Sequence, residues 1–566
     1  MGVHNRRKIL GMAGVGLAGG AFSGFAAAAI AVTPDLIVVN AKVYTVDDRA
    51  PRAQAFAVKD GRFLGVGSNE DVRALAGPGT RVMDVQGATV VPGFIDTHNH
   101  PVGEMLLYEV AVGNPFEVEF VTIDSIVAKL RERAAKTPPG AWVQGFFYDD
   151  TKSRDGRELT AADLDRVSTQ HPVMVLHRGG HTAYYNHKAL EMAGITKATP
   201  DIQGGTYDKL PNGELSGRVT DTAMRAVNRV GDRPQISEAD RVLRARNGAA
   251  HISKEYVRYG LTSVHHSGGS LEALQQIRAN GDLLHRVSYE LSASTIDSAI
   301  KEGIRTGLGD EWIKIGATSE HSADGSFSER TMAISTRYPG SNSTYQGNIV
   351  RTQEQLDEWA LRVHRAGIQL NAHANGDVAI DMTLTAYERA LKAHPVKNMR
   401  PKITHCTLIN DQLLRRMKAL DAVPAVFTTY AYYNSDKFKF YGKDMMSRSM
   451  AFRSFIDNGI KASAGSDFFP GPFAPLMGIQ GMVTRKGWNG ETWGANQKVT
   501  VAEALRITTL NGAYASFEED IKGSITPGKL ADFVVLSEDP HTINPEKIKD
   551  IKIVRTVTGG RTVYEA

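Results

Sequence analysis

Near both ends of the chain, apolar and polar positions alternate with a period of two; between them the periods are mixed. From about Asp35 to Val91 the runs LIVVNAKVYTV, QAFAVKDGRFLGVGS and TRVMDVQGATVV read as short strands, with Asp60-Gly61 as a hairpin turn. Lys529–Ser537 and Ile551–Tyr564 read the same way, the second run folding at Gly559-Gly560. Two β segments flanking a long middle are most economically one small sandwich built from both chain ends. The expected sandwich takes residues 32–91 and 520–566.

The middle, residues 92–519, alternates helical periodicity with short β runs that end in polar residues. Strands are predicted at Gly93–His98, Leu261–His265, Arg286–Leu291, Trp312–Ala317, Gln369–His373, Lys402–His405, Ala425–Thr429 and Lys461–Ala464. Eight is the number a closed (β/α)₈ barrel requires. The predicted class is therefore α/β, a TIM barrel carried with a small sandwich. Residues from about 101 to 234 are too many for one barrel connection. They contain strand-like runs of their own (WVQGFFYD, PVMVLHRGG) and should form an insertion that caps the barrel mouth.

At 566 residues the chain is too long for one compact core, in keeping with at least two domains. The formal net charge is +4, but Arg6, Arg7 and Lys8 stand in the first 31 residues with no acid, which leaves the remainder at +1. Nothing in that balance asks for nucleic acid or an anionic membrane. Cys406 is the one cysteine, so no internal disulfide can form, and it is expected to pack as a small core residue. Residues 1–31 have a basic start with paired arginines, a Gly- and Ala-rich run and Ala29-Ile30-Ala31, a small-x-small cleavage pattern. This resembles a twin-arginine signal peptide. It implies the twin-arginine export machinery as a partner and a periplasmic or secreted location.

The chemistry concentrates at strand ends. In VPGFIDTHNHP, His98 and His100 are two residues apart, so on an extended strand both imidazoles point to one side and can reach one ion. Lys314 in WIKIGA, His373 in LNAHANGD, His405 in KITHCTL and Asp467 in SAGSDFF accompany other short apolar runs, where a barrel strand hands over to its catalytic loop. One histidine after a strand is more often structural. An ordered set of nitrogen and oxygen donors on different strands points to a metal site, and imidazole with carboxylate suits zinc.

VPGFIDTHNHP, LNAHANGDVAID, ITHC, GSD and the closing GSITPGKLADFVVL together resemble the metal-dependent amidohydrolase superfamily. HRGGHTAYYNHKAL, DGSFSERT and HANGD narrow this to its YtcJ-like branch, which includes N-substituted formamide deformylase. The resemblance runs from about residue 34 to the end and implies a distorted TIM (β/α)₈ barrel with a β-sandwich and one or two divalent ions at the barrel mouth. It implies that His98 and His100 hold the more buried ion. A carbamylated Lys314 would bridge two ions, His373 and His405 would hold the second, and Asp467 would contact metal and water. Glu320 and His321, in the loop after Lys314, are the alternative ligands.

His177, Arg178 and His181 of the insertion, His265 at the end of the second strand, and Tyr430 and Tyr432 after the seventh are candidates to contact a small, aromatic or amphiphilic substrate. The function this implies is hydrolysis of a non-peptide C–N bond (amide, N-formyl or carbamate) by metal-activated hydroxide, with Asp467 as general acid and base. The alternatives are an esterase, hydratase or lyase on the same ligands, or a non-catalytic regulatory protein. Assembly with further copies of the chain is left open.

Overall fold

The computed structural model describes residues 32–233, 235–339 and 344–566; the expected leader, 1–31, lies outside them. Both chain ends build one sandwich. A four-stranded sheet runs in the order Arg62–Gly67, Ala55–Lys59, Leu36–Val39, Arg81–Asp84. A six-stranded sheet runs Arg561–Glu565, Ile553–Thr558, Phe533–Leu536, Thr89–Pro92, Lys42–Tyr44, Arg52–Ala53. Val534 faces Val91 across the antiparallel pair that joins the two ends of the chain. Leu36, Val38, Phe56, Phe63, Phe533, Val535 and Val557 form one buried core between the sheets, each large side chain contributing about 1.5–3 kcal/mol. Asp60 and Gly61 both take positive φ, +48° and +73°, and close the hairpin that pairs Lys59 with Arg62, as a primed turn requires.

The eight barrel strands are Phe94–Asn99, Leu261–Ser267, Arg286–Leu291, Ile313–Thr318, Asn371–Ala374, Lys402–His405, Val423–Phe427 and Ser463–Gly465. The first four are paired in parallel, as are the last four. The fourth strand meets the fifth through a parallel bridge between Ala317 and Gln369. On the other side Thr97 Oγ1 donates to Ala464 O at 2.8 Å, and Asp467 N donates to His98 O at 2.9 Å. The outer helices follow from local sequence. Gln353–Arg365 opens on a Thr352/Gln355 capping box and buries Leu356, Trp359, Ala360 and Val363 at positions i, i+3, i+4 and i+7.

The barrel interior is unusually polar. Lys402 and Glu290 are fully buried and ion-paired, and Lys402 Nζ also donates to Thr97 O at 2.8 Å, one residue before His98. Residues 110–220 hold a separate six-stranded sheet, in the order Tyr207–Lys209, Leu215–Thr220, Thr182–Tyr185, Val173–His177, Val143–Tyr148, Val110–Ala111. Its core includes Ile123, Leu130, Val143, Val173 and Val175. Among the described residues no helix is long and apolar enough to cross a membrane.

Candidate metal centre

Six side chains converge where the barrel strands end. His98 closes the first strand, and Asp467 follows the eighth in a left-handed conformation, φ +53°. His405 ends the sixth strand, also at positive φ, +72°. Residues held in such sparsely populated backbone regions cluster at functional sites. His98 Nε2 lies 3.1 Å from Asp467 Oδ1, and His100 Nε2 lies 3.2 Å from the same oxygen. Glu320 stands across from Asp467. Its Oε2 is 3.2 Å from His373 Nδ1, 3.2 Å from His405 Nε2 and 3.5 Å from His98 Nε2, and its Oε1 is 3.4 Å from His100 Nε2.

The environment suits a cation. Donor atoms of His98, Glu320, His405 and Asp467 all lie within 4.8 Å of one another. Burial alone would raise both carboxyls, but the surrounding histidines outweigh it and hold Glu320 and Asp467 well below the usual carboxylate range. Burial and the neighbouring His373 push the His405 imidazole down to about 4, the neutral form a metal needs. Burial would lower His100 and His373 too, but Asp467 and Glu320 outweigh it and hold His100 up at about 10, and Glu320 holds His373 above its usual range. These two rings therefore give up a proton when a cation binds. His373 presents Nδ1 to Glu320 while Nε2 faces Gly325 O at 3.0 Å, the second contact that sets a ligating ring's tautomer and angle. His98 Nδ1 and His405 Nδ1 are buried with no hydrogen-bond partner. Four imidazoles and two carboxylates thus fit one divalent ion, or two with Glu320 shared between them.

Lys314 is not part of this cluster. The fourth strand continues to Thr318, so Lys314 is its second residue, about 13 Å of extended chain before the mouth. Its Nζ lies 2.8 Å from Glu518 Oε1 at the other end of the barrel. An ammonium in an ion pair there cannot serve as a carbamylated bridge. Glu320, two residues past the strand, is the acid that meets the four imidazoles instead, and it was visible in the sequence as an acid following a strand. His321 turns away, stacked on Trp359 with ring centroids 4.3 Å apart.

Of the expected substrate contacts, His181 lines the cavity over the cluster; the others do not. The cavity holds about 230 Å³ and is walled by Leu176, Gly179, Gly180, Phe427, Phe469 and Pro470, with Ser326 and Asn375 as polar groups that the sequence had not singled out. His177 is buried between Asp150 Oδ1 and Glu329 Oε1, 3.1 Å from each. Arg178 is buried too. Its guanidinium donates to Pro470 O at 2.8 Å and Phe469 O at 3.0 Å and reaches the Tyr433 hydroxyl, so it clamps the insertion onto the loop after the eighth strand. His265 lies inside the barrel, 2% exposed, its Nε2 without a partner. Tyr430 stacks behind Phe427, which stacks on His405, so it supports a ligand from the third layer. Tyr432 faces Lys549, 5.6 Å from its ring, away from the cavity.

A second acidic group, Asp149, Asp150 and His177, also gathers donor atoms. Protein cations already fill it. Lys152 and Lys437 lie 3.0 and 2.9 Å from Asp149, and Arg330 lies 2.8 Å from Asp150. It is an ion-paired seam between insertion and barrel. It seats the Gly179–His181 wall, where a Cβ added to Gly179 would fall 1.6 Å from Glu329 Oε1.

Fold and site together define a metal-dependent hydrolase built on a barrel with a flanking sandwich. The chain belongs to the amidohydrolase family, whose model matches residues 81–564. It is 30% identical over 545 residues to YtcJ of Bacillus subtilis (strain 168), covering 92% of this chain and 98% of that protein. It is 28% identical over 555 residues to N-substituted formamide deformylase of Arthrobacter pascens, covering 94% and 98%. Two uncharacterized metal-dependent hydrolases share the fold. The Pyrococcus horikoshii OT3 structure has a TM-score of 0.68 at 21% identity, covering 90% of this chain and 99% of its own. That of Pyrococcus furiosus has a TM-score of 0.66 at 22% identity, covering 90% and 100%. This protein is an amidohydrolase, an enzyme acting on carbon–nitrogen bonds.

Proposed function

We propose that the enzyme hydrolyses the C–N bond of a small, uncharged amide, N-formyl compound or carbamate, with zinc as the metal. The observation that carries this reading is the pairing of Asp467 with the imidazoles of His98 and His100 at the floor of the cavity. His98, His100, His373, His405, Glu320 and Asp467 would hold a divalent ion, which would supply carbonyl polarisation and acidify water toward neutral pKa. Asp467 then accepts the proton of the attacking water and returns it to the departing nitrogen. Leu176, Phe427, Phe469 and Pro470 exclude solvent and receive an apolar substituent.

The uncharged substrate follows from the walls. Among the described residues lining the cavity there is no lysine or arginine, and the nearby Arg178 spends its donors on carbonyl oxygens and the Tyr433 hydroxyl. Apart from the metal ligands, His181 is the described wall group that can carry positive charge, since burial is outweighed by its hydrogen bond to Asp221, which holds the imidazole up at about 10. That charge is already matched by the buried Asp221 carboxylate, so a carboxylate on the substrate would meet no unpaired cationic side chain. The formamide deformylase relative supports an N-formyl group as the acyl part. The resemblance of residues 1–31 to a twin-arginine signal supports action in the periplasm or outside the cell.

Elemental analysis of purified protein with a screen of N-substituted formamides, carbamates, N-acyl amino acids and esters tests the reading. Zinc with turnover of the uncharged amides is expected. Turnover confined to esters or to carboxylate-bearing substrates would overturn it.

A further inference from the structure

His181 is the polar side chain that the insertion places in the wall of the cavity, beside Leu176, Gly179 and Gly180. Its placement is held from several directions. His181 Nδ1 meets Asp221 Oδ1 at 2.7 Å, Asp221 N donates to His181 O at 2.7 Å, and His181 N donates to Glu329 Oε1 at 3.2 Å. The ring packs against His373, centroids 4.9 Å apart. Asp221 is itself fixed, because its other oxygen accepts from Asn348 Nδ2 at 2.6 Å.

Two features separate this arrangement from ordinary packing. Asp221 is a non-glycine residue at φ +45°, a conformation that costs free energy and persists where the surroundings enforce it. The exposure is also graded along the pair: the Asp221 side chain is 2% exposed and the His181 side chain 22%. Nδ1 is committed to the buried carboxylate. Nε2 is therefore the nitrogen left to meet whatever enters, on the side of the cavity that the insertion forms, across from the floor of metal ligands.

We propose that His181 Nε2 hydrogen-bonds the reacting amide group of the substrate, and that Asp221, anchored by Asn348, is the residue that positions it. This rests on the reading of the site as an amide hydrolase. It assigns the insertion a direct part in the reaction, since one edge of the amide meets donors of the barrel and the other meets an imidazole brought by a separate sheet. An imidazole that only walled the cavity would not need a buried carboxylate and a strained backbone behind it.

The experiment uses the zinc-loaded enzyme, its His181→Ala, His181→Gln, Asp221→Ala and Asp221→Asn variants, and two readouts. One is kcat and KM on an N-substituted formamide; the other is calorimetric binding of benzohydroxamic acid, which presents an amide-like group to a metal. The expected result is a loss of about a hundredfold in kcat for His181→Ala, the scale of one positioned polar group at a reacting centre. About tenfold weaker hydroxamate binding and an unchanged metal-to-protein ratio should accompany it. Gln, which can still offer a polar atom, should restore part of both, and Asp221→Asn should lose less than Asp221→Ala. Unchanged binding and turnover in His181→Ala would overturn the proposal, and so would loss of metal, which would make His181 a ligand. If the wild type binds the hydroxamate yet cleaves no amide, the amide-hydrolase reading fails and the binding ratio alone decides the role of His181.

Discussion

Lys314 Nζ lies 2.8 Å from Glu518 Oε1, at the opposite end of the fourth strand from Glu320, whose carboxylate touches four imidazoles. The acid placed among the imidazoles is thus Glu320, a built-in side chain that requires no carbon dioxide to form.

Metal content should follow that geometry. Lys314→Ala is expected to keep its full metal complement, with loading indifferent to bicarbonate, whereas Glu320→Ala should lose at least one ion per chain and nearly all turnover. Elemental analysis of both variants, loaded with and without bicarbonate, checks this. A carbamylated Lys314 in a mass spectrum of the intact enzyme would refute it.

The Lys314–Glu518 pair has a pH consequence. Burial would raise the Glu518 carboxyl, but Lys522 and Lys314 outweigh it and hold it down to about 2, against an ordinary value of 4.5. A carboxyl depressed in the folded state contributes stability that is fully present above about pH 4.5 and is lost as pH falls toward 2. Between pH 5 and pH 3, Glu518→Gln should therefore lose less stability than the wild type, although it starts lower because Lys522 is left buried without its partner. Urea melts across that range measure it, and parallel pH slopes would count against the assignment.

Asp467→Asn should fold, keep most of its metal and lose about a hundredfold or more in turnover, the usual share of a positioned acid–base group. Asn retains an oxygen toward the ligands but cannot take up a proton. Turnover, melting temperature and metal content measured on one preparation separate a chemical loss from a structural one. Near-normal turnover with intact metal would remove Asp467 from proton transfer.

The leader prediction is independent of the site. Residues 1–31 fused to a folded fluorescent reporter should direct it across the inner membrane, and replacing Arg6 and Arg7 with lysine should abolish that transport. Periplasmic fluorescence that persists in the double lysine variant would exclude the twin-arginine route.

Local periodicity was enough for the sequence to place every barrel strand to within about two residues, to pair both chain ends in one sandwich, and to single out His98, His100, His373, His405 and Asp467 as polar residues at strand ends. Strand alternation and a polar residue at a strand end are properties of neighbouring positions, so they survive in the linear order. What only the tertiary structure decided was what each side chain faces. The fourth strand ends at Thr318, one residue beyond the expected Ala317, but Lys314, near its start, pairs with Glu518, while Glu320, past its end, meets the metal ligands. His177 and Arg178, neighbours of His181, are spent on Asp150, Glu329 and the Phe469 and Pro470 carbonyls. His181 alone of the three enters the cavity. Those partners lie more than a hundred residues away in most cases, and a buried charge takes the direction of its nearest counter-charge in space, which no local pattern in the chain encodes.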